Sequence, residues 1–330
     1  MVRFLFRALL ITVVAVAAFI AYGVFAPAGP TQQKLVQLKP GSSARHIAVA
    51  LANAGIVRSQ YSFLLWHYTH GRKPLKAGEY AFDHPGNTRE VYDRIARGDI
   101  YFHTVVVPEG FNMFDIADAI QEEGLGNRED FLKVARTETA LVRDIDPQAP
   151  SLEGYLFPDT YHFNRTQSLH DMAATMVRRF RQAAHEAGLE SNFHSLVTMA
   201  SIVEKETGAP EERPEVAGVF NNRLVKNMVL ATDPAVIYAA LLNDRYRGVI
   251  HQSDLHFDSP YNTYKYAGLP PGPICNPGKA SLQAALHPAN TQYLFFVSDN
   301  HGHHRFARTE AEHAVNVAAY RRAVAQAVNQ

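Results

Sequence analysis

Val36-Gln37-Leu38-Lys39-Pro40-Gly41 is followed, six residues after the glycine, by Ile47-Ala48, and then by Leu51 and Gly55. The same order returns later as Val105-Val106-Val107-Pro108-Glu109-Gly110, Ile116-Ala117, Ile120 and Gly124. The alternating or β-branched opening of each copy predicts a short strand. The Ile, Ala and Leu/Ile positions at i, i+1 and i+4 predict one face of a helix, and the last glycine predicts its C-terminal cap. Each copy is therefore a strand–turn–helix unit, and the chain is expected to be α+β.

Between the copies, Lys76 to Phe82 (KAGEYAF) alternates like a strand, and Arg89 to Gly98 reads as a helix ended by its glycine. The strand, glycine and helical Ile-Ala order resembles the start of a LysM module, and that resemblance implies binding to N-acetylglucosamine-containing glycans. A generic strand–helix unit used twice accounts for the same residues. The expected organisation is a tail over residues 1–7, a membrane helix over 8–26, a linker over 27–34, a small LysM-like subdomain over 35–103, and a mixed α+β catalytic domain over 104–330.

Ala8 to Ala26 carries no charge and is dominated by Leu, Ile, Val, Ala and Phe. About 19 such residues suffice to cross a bilayer as a helix. Arg3 and Arg7 precede the run and no acidic residue does, which places the N-terminus in the cytoplasm and the rest outside. A cleaved signal peptide is the rival reading. Pro27 in the middle of Ala26-Pro27-Ala28 and the length of the apolar run speak against it.

With 32 basic and 32 acidic residues there is no excess positive charge to suggest a nucleic-acid partner. A lone cysteine, Cys275, cannot build a disulfide framework or a cysteine-based zinc site, and reads as a small buried residue.

From Ser151 onward Tyr, Pro, Asn and Asp cluster. One cluster is Leu152-Glu153-Gly154-Tyr155-Leu156-Phe157-Pro158-Asp159-Thr160-Tyr161. Another is Ser259-Pro260-Tyr261-Asn262-Thr263-Tyr264, which runs on into Gly268–Ile274 and Asn276-Pro277-Gly278. Such Pro and Gly density excludes helix and central strand and predicts long, rigid loops of the kind that line polar clefts. Between the clusters lies Phe193 to Thr207, FHSLVTMASIVEKET. Leu196, Ala200, Val203 and Thr207 share one helical face. Glu204 falls about 60° from its centre, Glu206 about 100° away on the other flank, and Lys205 points outward. A carboxylic acid held against apolar neighbours has its pKa raised, which a general acid needs, and on this arithmetic Glu204 is favoured over Glu206.

Taken together, YLFPDTY, ASIVEKET, Val219–Leu224 (VFNNRL), Leu230–Pro234 (LATDP), YNTY, GLPPGPI-x-NPG and His304-x-Phe306 closely resemble the endolytic murein transglycosylase (YceG-like) family, in the family's order, from about Val36 to His313. The resemblance implies a single-pass inner-membrane protein facing the periplasm. It implies that nascent peptidoglycan strands are cut between N-acetylmuramic acid and N-acetylglucosamine, leaving 1,6-anhydro ends and terminating strand growth. Peptidoglycan synthases, the penicillin-binding proteins, are implied candidate partners. The first glutamate of IVEKET, Glu204, is the implied catalytic residue. Tyr155, Asn221, Arg223, Asp233, Tyr261, Asn262, Tyr264 and His304 are candidates for binding substrate or supporting the cleft. No cofactor is implied. Glu153 is a candidate second carboxylate, which a hydrolase would need.

The His301, His303 and His304 cluster has no HExxH and no Cys or carboxylate ligands at zinc spacing beside it, so no metal is expected. There is no nucleophile elbow and no phosphate loop. The leading rival from another class is a non-catalytic, membrane-tethered peptidoglycan-binding scaffold.

Overall fold

The computed structural model describes residues 2–328. Helices dominate, and the strands pair only in twos. In order the elements are α1 (Val2–Phe25), β1 (Lys34–Leu38), α2 (Ala44–Asn53), α3 (Gln60–Thr69), β2 (Gly78–Phe82), α4 (Thr88–Arg97), β3 (His103–Val106), α5 (Met113–Glu122), α6 (Arg128–Thr137), β4 (Thr160–Phe163), α7 (Leu169–Ala187), α8 (Phe193–Glu206), α9 (Arg213–Val225), α10 (Asp233–Leu242), α11 (Lys279–Leu286), β5 (Phe295–Ser298), β6 (His304–Ala307) and α12 (Glu310–Val328). The pairs are β1–β2, β3–β4 and β5–β6. The fold class is α+β.

The chain forms two compact units: residues up to Thr104 together with His162–Ser168, and Val105–Tyr161 together with the chain from Leu169 onward. A partition along the sequence does not reveal that 162–168 belongs with the first unit.

In the first unit β1 and β2 run antiparallel, with Lys34 opposite Phe82 and Leu38 opposite Gly78. Ile47, Ala48 and Leu51 of α2, the residues of the repeat, are buried with Phe63, Tyr80, Tyr92 and Ile95. Ser43 caps α2 by accepting the His46 N–H. Asn87 and Glu90 form a reciprocal capping box at the start of α4, and Gly98 ends that helix at φ +80°, a backbone that favours glycine. The apolar helix α1, long enough to cross a membrane from Arg3 to Phe25, belongs to this unit. It includes Arg3 and Arg7, which the sequence reading places outside the span.

In the second unit the other repeat copy folds likewise. Ile116, Ala117 and Ile120 of α5 are buried behind an Asn112–Asp115 capping box. α8 lies at the centre, packed by α9, α10 and α11. Every residue from Val197 to Val203 is buried, so α8 is enclosed on all sides rather than along one stripe. Its polar residues are satisfied locally: Thr198 donates to the His194 carbonyl and Ser201 to the Thr198 carbonyl. Ser201 Oγ also accepts the Ile274 N–H, and Cys275 donates to the Ser201 carbonyl. Cys275 is thereby a buried residue that fastens the second loop to α8.

Candidate active site

Asn276 ties the Tyr- and Pro-rich loops together. Its Oδ1 accepts the N–H groups of Gly154 and Leu156, both at 2.9 Å, and its Nδ2 donates to the Phe111 carbonyl and to Glu153 Oε1. Gly154 sits at φ +88° with Pro273 and Val197 pressed against its Cα, which leaves no room for a side chain. A residue that satisfies four partners in a dry interior gives the loops one arrangement.

The two glutamates at the end of α8 meet different surroundings. The Glu204 side chain is 4% exposed, and Oε1 lies 3.0 Å from Nη2 of Arg213, itself 8% exposed. Its Oε2 accepts the Gly278 N–H at 3.0 Å. Glu109 of the Val-Pro-Glu-Gly turn reaches the same Arg213 nitrogen at 3.6 Å, its carboxyl packed on Gly278. Lys205 donates to the Gly110 carbonyl. The Glu204 carboxylate is therefore enclosed with a cation and a backbone donor rather than with apolar groups alone. This corrects the physical basis on which the sequence favoured it: helical arithmetic cannot foresee that α9 brings Arg213 to that flank.

Glu206 instead lines a cavity of about 450 Å³, together with Arg223, Asp233, Tyr264, Phe296 and His313. Removal from water, reinforced by the negative charge of Asp233 and opposed by Arg223, pushes its carboxyl up to about 7. Asp233 is the first residue of α10, behind the Thr232 cap, and its Oδ1 accepts the Tyr264 hydroxyl at 2.6 Å. Burial and the bond to Asp233 raise that hydroxyl's pKa. Arg223 is fixed by donating to the carbonyls of Leu294 and Leu230, and its guanidinium lies over the Phe295 ring. The His313 ring stacks on Phe295 from the other element, α12, and burial lowers its pKa.

Arg223, Asp233 and Tyr264 thus gather around Glu206 rather than Glu204. His304 touches this cavity only through Phe296, whose ring it meets edge-on, and is otherwise held by Glu212 at 2.8 Å. Tyr155 is fully buried with its hydroxyl on Asp146, and Asn262 is fully buried with its amide on the Leu255 and Phe257 carbonyls. Neither presents its side chain to a ligand: Tyr155 fastens its loop to Asp146 and to Phe180 of α7, and Asn262 closes its own loop. Tyr261 packs against Tyr238, and Asn221 is exposed on α9 outside the cavity. Glu153 is buried. It accepts the Met113 N–H and the Asn276 amide, and burial pushes it up to about 8. Among the described residues no group of three His, Cys, Asp or Glu side chains is placed to hold a metal ion. Sequence reasoning weighed Glu206 but set it second to Glu204, and it did not single out Arg213 or His313. For Glu206 the signal was present, two positions along the same motif; for Arg213 and His313 there was none.

A carboxylic acid raised toward neutrality, with a second carboxylate, a guanidinium and aromatic rings around one cavity on an α+β scaffold, is the set of groups that general acid–base chemistry uses. The chain belongs to the YceG-like family, which matches residues 36–319. It is 33% identical over 299 residues to the endolytic murein transglycosylase of Bacillus subtilis (strain 168), covering 84% of this chain and 82% of that one. It is 28% identical over 324 residues to the endolytic murein transglycosylase of Streptococcus pneumoniae serotype 2 (strain D39 / NCTC 7466), covering 86% of this chain and 57% of that one. A crystallised yceG-like protein from Listeria monocytogenes is 31% identical, with a TM-score of 0.56, and the match covers 86% of this chain and 99% of that one.

Proposed function

We propose that this chain is an endolytic murein transglycosylase that cuts nascent peptidoglycan strands between N-acetylmuramic acid and N-acetylglucosamine, with Glu206 as its acid–base residue. The observation that carries the choice of residue is the cavity holding Glu206, Arg223, Asp233 and Tyr264, in which the Glu206 carboxyl is pushed up to about 7. A group with that pKa is part protonated at neutral pH and can work in both directions.

In this mechanism protonated Glu206 gives its proton to the glycosidic oxygen as the bond to the anomeric carbon breaks. Its carboxylate then takes the proton of the sugar's own 6-hydroxyl, whose oxygen closes on the anomeric carbon to form the 1,6-anhydro ring. The nucleophile belongs to the substrate, so one carboxyl serves both steps and no water has to be placed. Burial raises the proton affinity of Glu206, Asp233 adds to it and orients Tyr264, and Arg223 and Tyr264 offer donors to sugar oxygens and N-acetyl groups. Glu204 with Arg213 holds the end of α8 that presents Glu206. The buried Glu153 carboxyl is occupied by backbone and amide donors, which argues against a hydrolase built on it.

α1 anchors the chain in the inner membrane, with Arg3 and Arg7 toward the cytoplasm and the two units in the periplasm. The first unit is a LysM-like glycan-binding module, and peptidoglycan synthases are the partners that nascent strands imply. The test uses wild type, Glu206→Gln and Glu204→Gln on uncrosslinked nascent peptidoglycan, with products read by mass spectrometry. Anhydro-ended fragments from wild type that vanish with Glu206→Gln support the reading. Loss with Glu204→Gln in a folded protein, and full activity of Glu206→Gln, would return the role to Glu204. Products one water heavier would make the enzyme a hydrolase. A folded wild type that binds strands without cutting them would make it a scaffold.

A further inference from the structure

We propose that α3 is a second membrane contact, lying in the polar–apolar boundary of the leaflet reached by the C-terminal end of α1. The proposal rests on the reading of α1 as a membrane span.

α1 and α3 pack directly on each other. The approach is close because Gly23 has no side chain: a Cβ there would meet Ser62 Oγ at 2.5 Å. The groove between them is lined by Phe19, Ile20 and Tyr22 of α1 and by Tyr61, Ser62 and Leu65 of α3. Phe19 precedes the end of α1 at Phe25 by six residues, about 9 Å along a helix axis. A helix that shares a groove with Phe19 therefore sits below the outer end of the span, at the depth an interfacial helix occupies.

The outward side of α3 suits that depth. Tyr61, Leu65 and Tyr68 are 73%, 40% and 54% exposed and follow one another at i, i+4 and i+7, so they form one stripe. α3 carries no acidic residue. Arg58 before it lies over the Tyr22 ring at 4.6 Å, and Arg72 after it lies over the Tyr68 ring at 5.0 Å. Trp66, the sole tryptophan of the chain, meets Phe25 edge-on. Tyrosine and tryptophan with flanking arginines that keep their charge in the wet layer are the residues that settle at a membrane–water interface. On a water-facing surface the same stripe is an uncovered apolar patch. Continuity with α1 makes lipid its cover.

The test uses the full chain in vesicles of phosphatidylethanolamine and phosphatidylglycerol, with single cysteines at Tyr61, Leu65 and Tyr68 carrying spin labels. Val14 in α1 and exposed Arg45 on α2 serve as lipid and water references, and the enclosed Cys275 is left in place. Oxygen-to-nickel-complex accessibility ratios at 61, 65 and 68 severalfold above that at 45, together with quenching of Trp66 by lipids brominated near the headgroup, are the expected result. A lipid-like Val14 with water-like 61, 65 and 68 overturns the interfacial placement and leaves the span intact. Spin–spin broadening at those three positions would give the stripe to a second copy and equally overturn it. A water-like Val14 removes the span and the proposal together.

Discussion

Glu204 and Glu206 leave opposite flanks of α8: the first into an ion pair with Arg213 at 3.0 Å, the second into a cavity beside Asp233 and Arg223. Two residues along a helix are about 200° apart, so neighbours in sequence inherit unrelated surroundings. One carboxylate is clamped; the other has its proton affinity tuned. Their substitutions should fail in different ways.

Glu206→Gln keeps the shape of the side chain but cannot give up or take a proton. Its glycan cleavage is expected to fall at least 100-fold, with a cooperative melting transition no lower than that of wild type near neutral pH. Glu204→Gln leaves the buried Arg213 with only the more distant Glu109 carboxylate at 3.6 Å and is expected to destabilise the second unit by up to about 3 kcal/mol. Glu204→Gln combined with Arg213→Met should recover part of that loss in urea unfolding. A double mutant no more stable than Glu204→Gln alone would show that the pair is not the source.

In the proposed mechanism cleavage needs Glu206 protonated, so the rate should decline as pH rises through about 7. Asp233 raises that pKa by its charge. Asp233→Asn should therefore move the alkaline limb to lower pH, whereas Tyr264→Phe leaves the charge in place and should move it less. A pH–rate profile unchanged in Asp233→Asn would remove Asp233 from the site's electrostatics.

The same shift has a stability consequence. The folded state holds the Glu206 proton more tightly than the unfolded chain, whose carboxyl has the ordinary value of 4.5. The stability this gives is fully present below about 4.5 and is lost as pH rises to about 7. Glu206→Gln escapes that loss. It should be more stable than wild type at pH 8, by up to about 3 kcal/mol, and the difference should close toward pH 4.5. Denaturant melts at several pH values measure it.

Glu153, pushed up to about 8 by burial, is neutral at pH 7 and resembles an amide there. Glu153→Gln is expected to fold and to cleave glycan near wild-type rates. Glu153→Ala strands the Met113 N–H and one Asn276 hydrogen and opens a void, for an expected cost of about 2–4 kcal/mol in thermal or urea unfolding. Activity lost in a stable Glu153→Gln would reinstate it as a chemical participant.

Much of the fold was legible along the chain because the cues are local. The Val36 and Val105 repeats became strand–turn–helix units since the alternation, the Ile-Ala spacing and the terminal glycines act within a dozen residues. The apolar N-terminal run became a single helix, and the Pro- and Gly-rich loops stayed irregular. At the site, the motifs that carry the family resemblance brought Arg223, Asp233 and Tyr264 to one cavity. Tyr155 and Asn262 carry sugar-binding residue types, but their side chains are engaged inside the fold, on Asp146 and Phe180 and on the Leu255 and Phe257 carbonyls.

The sequence by itself determined the family, the apolar helix, the α+β class and the motif that carries the two glutamates, because each is written in spacing or composition. Only the tertiary structure decided which glutamate of that motif faces a cavity. A carboxyl's surroundings are set by the fold: Arg213 and the Gly278 amide hold Glu204 from α9 and a distant loop, while burial with Asp233 and Arg223 from two other elements sets the proton affinity of Glu206. Charges that act across several ångströms of low-dielectric interior come from residues tens of positions apart, and no periodicity in one helix encodes them.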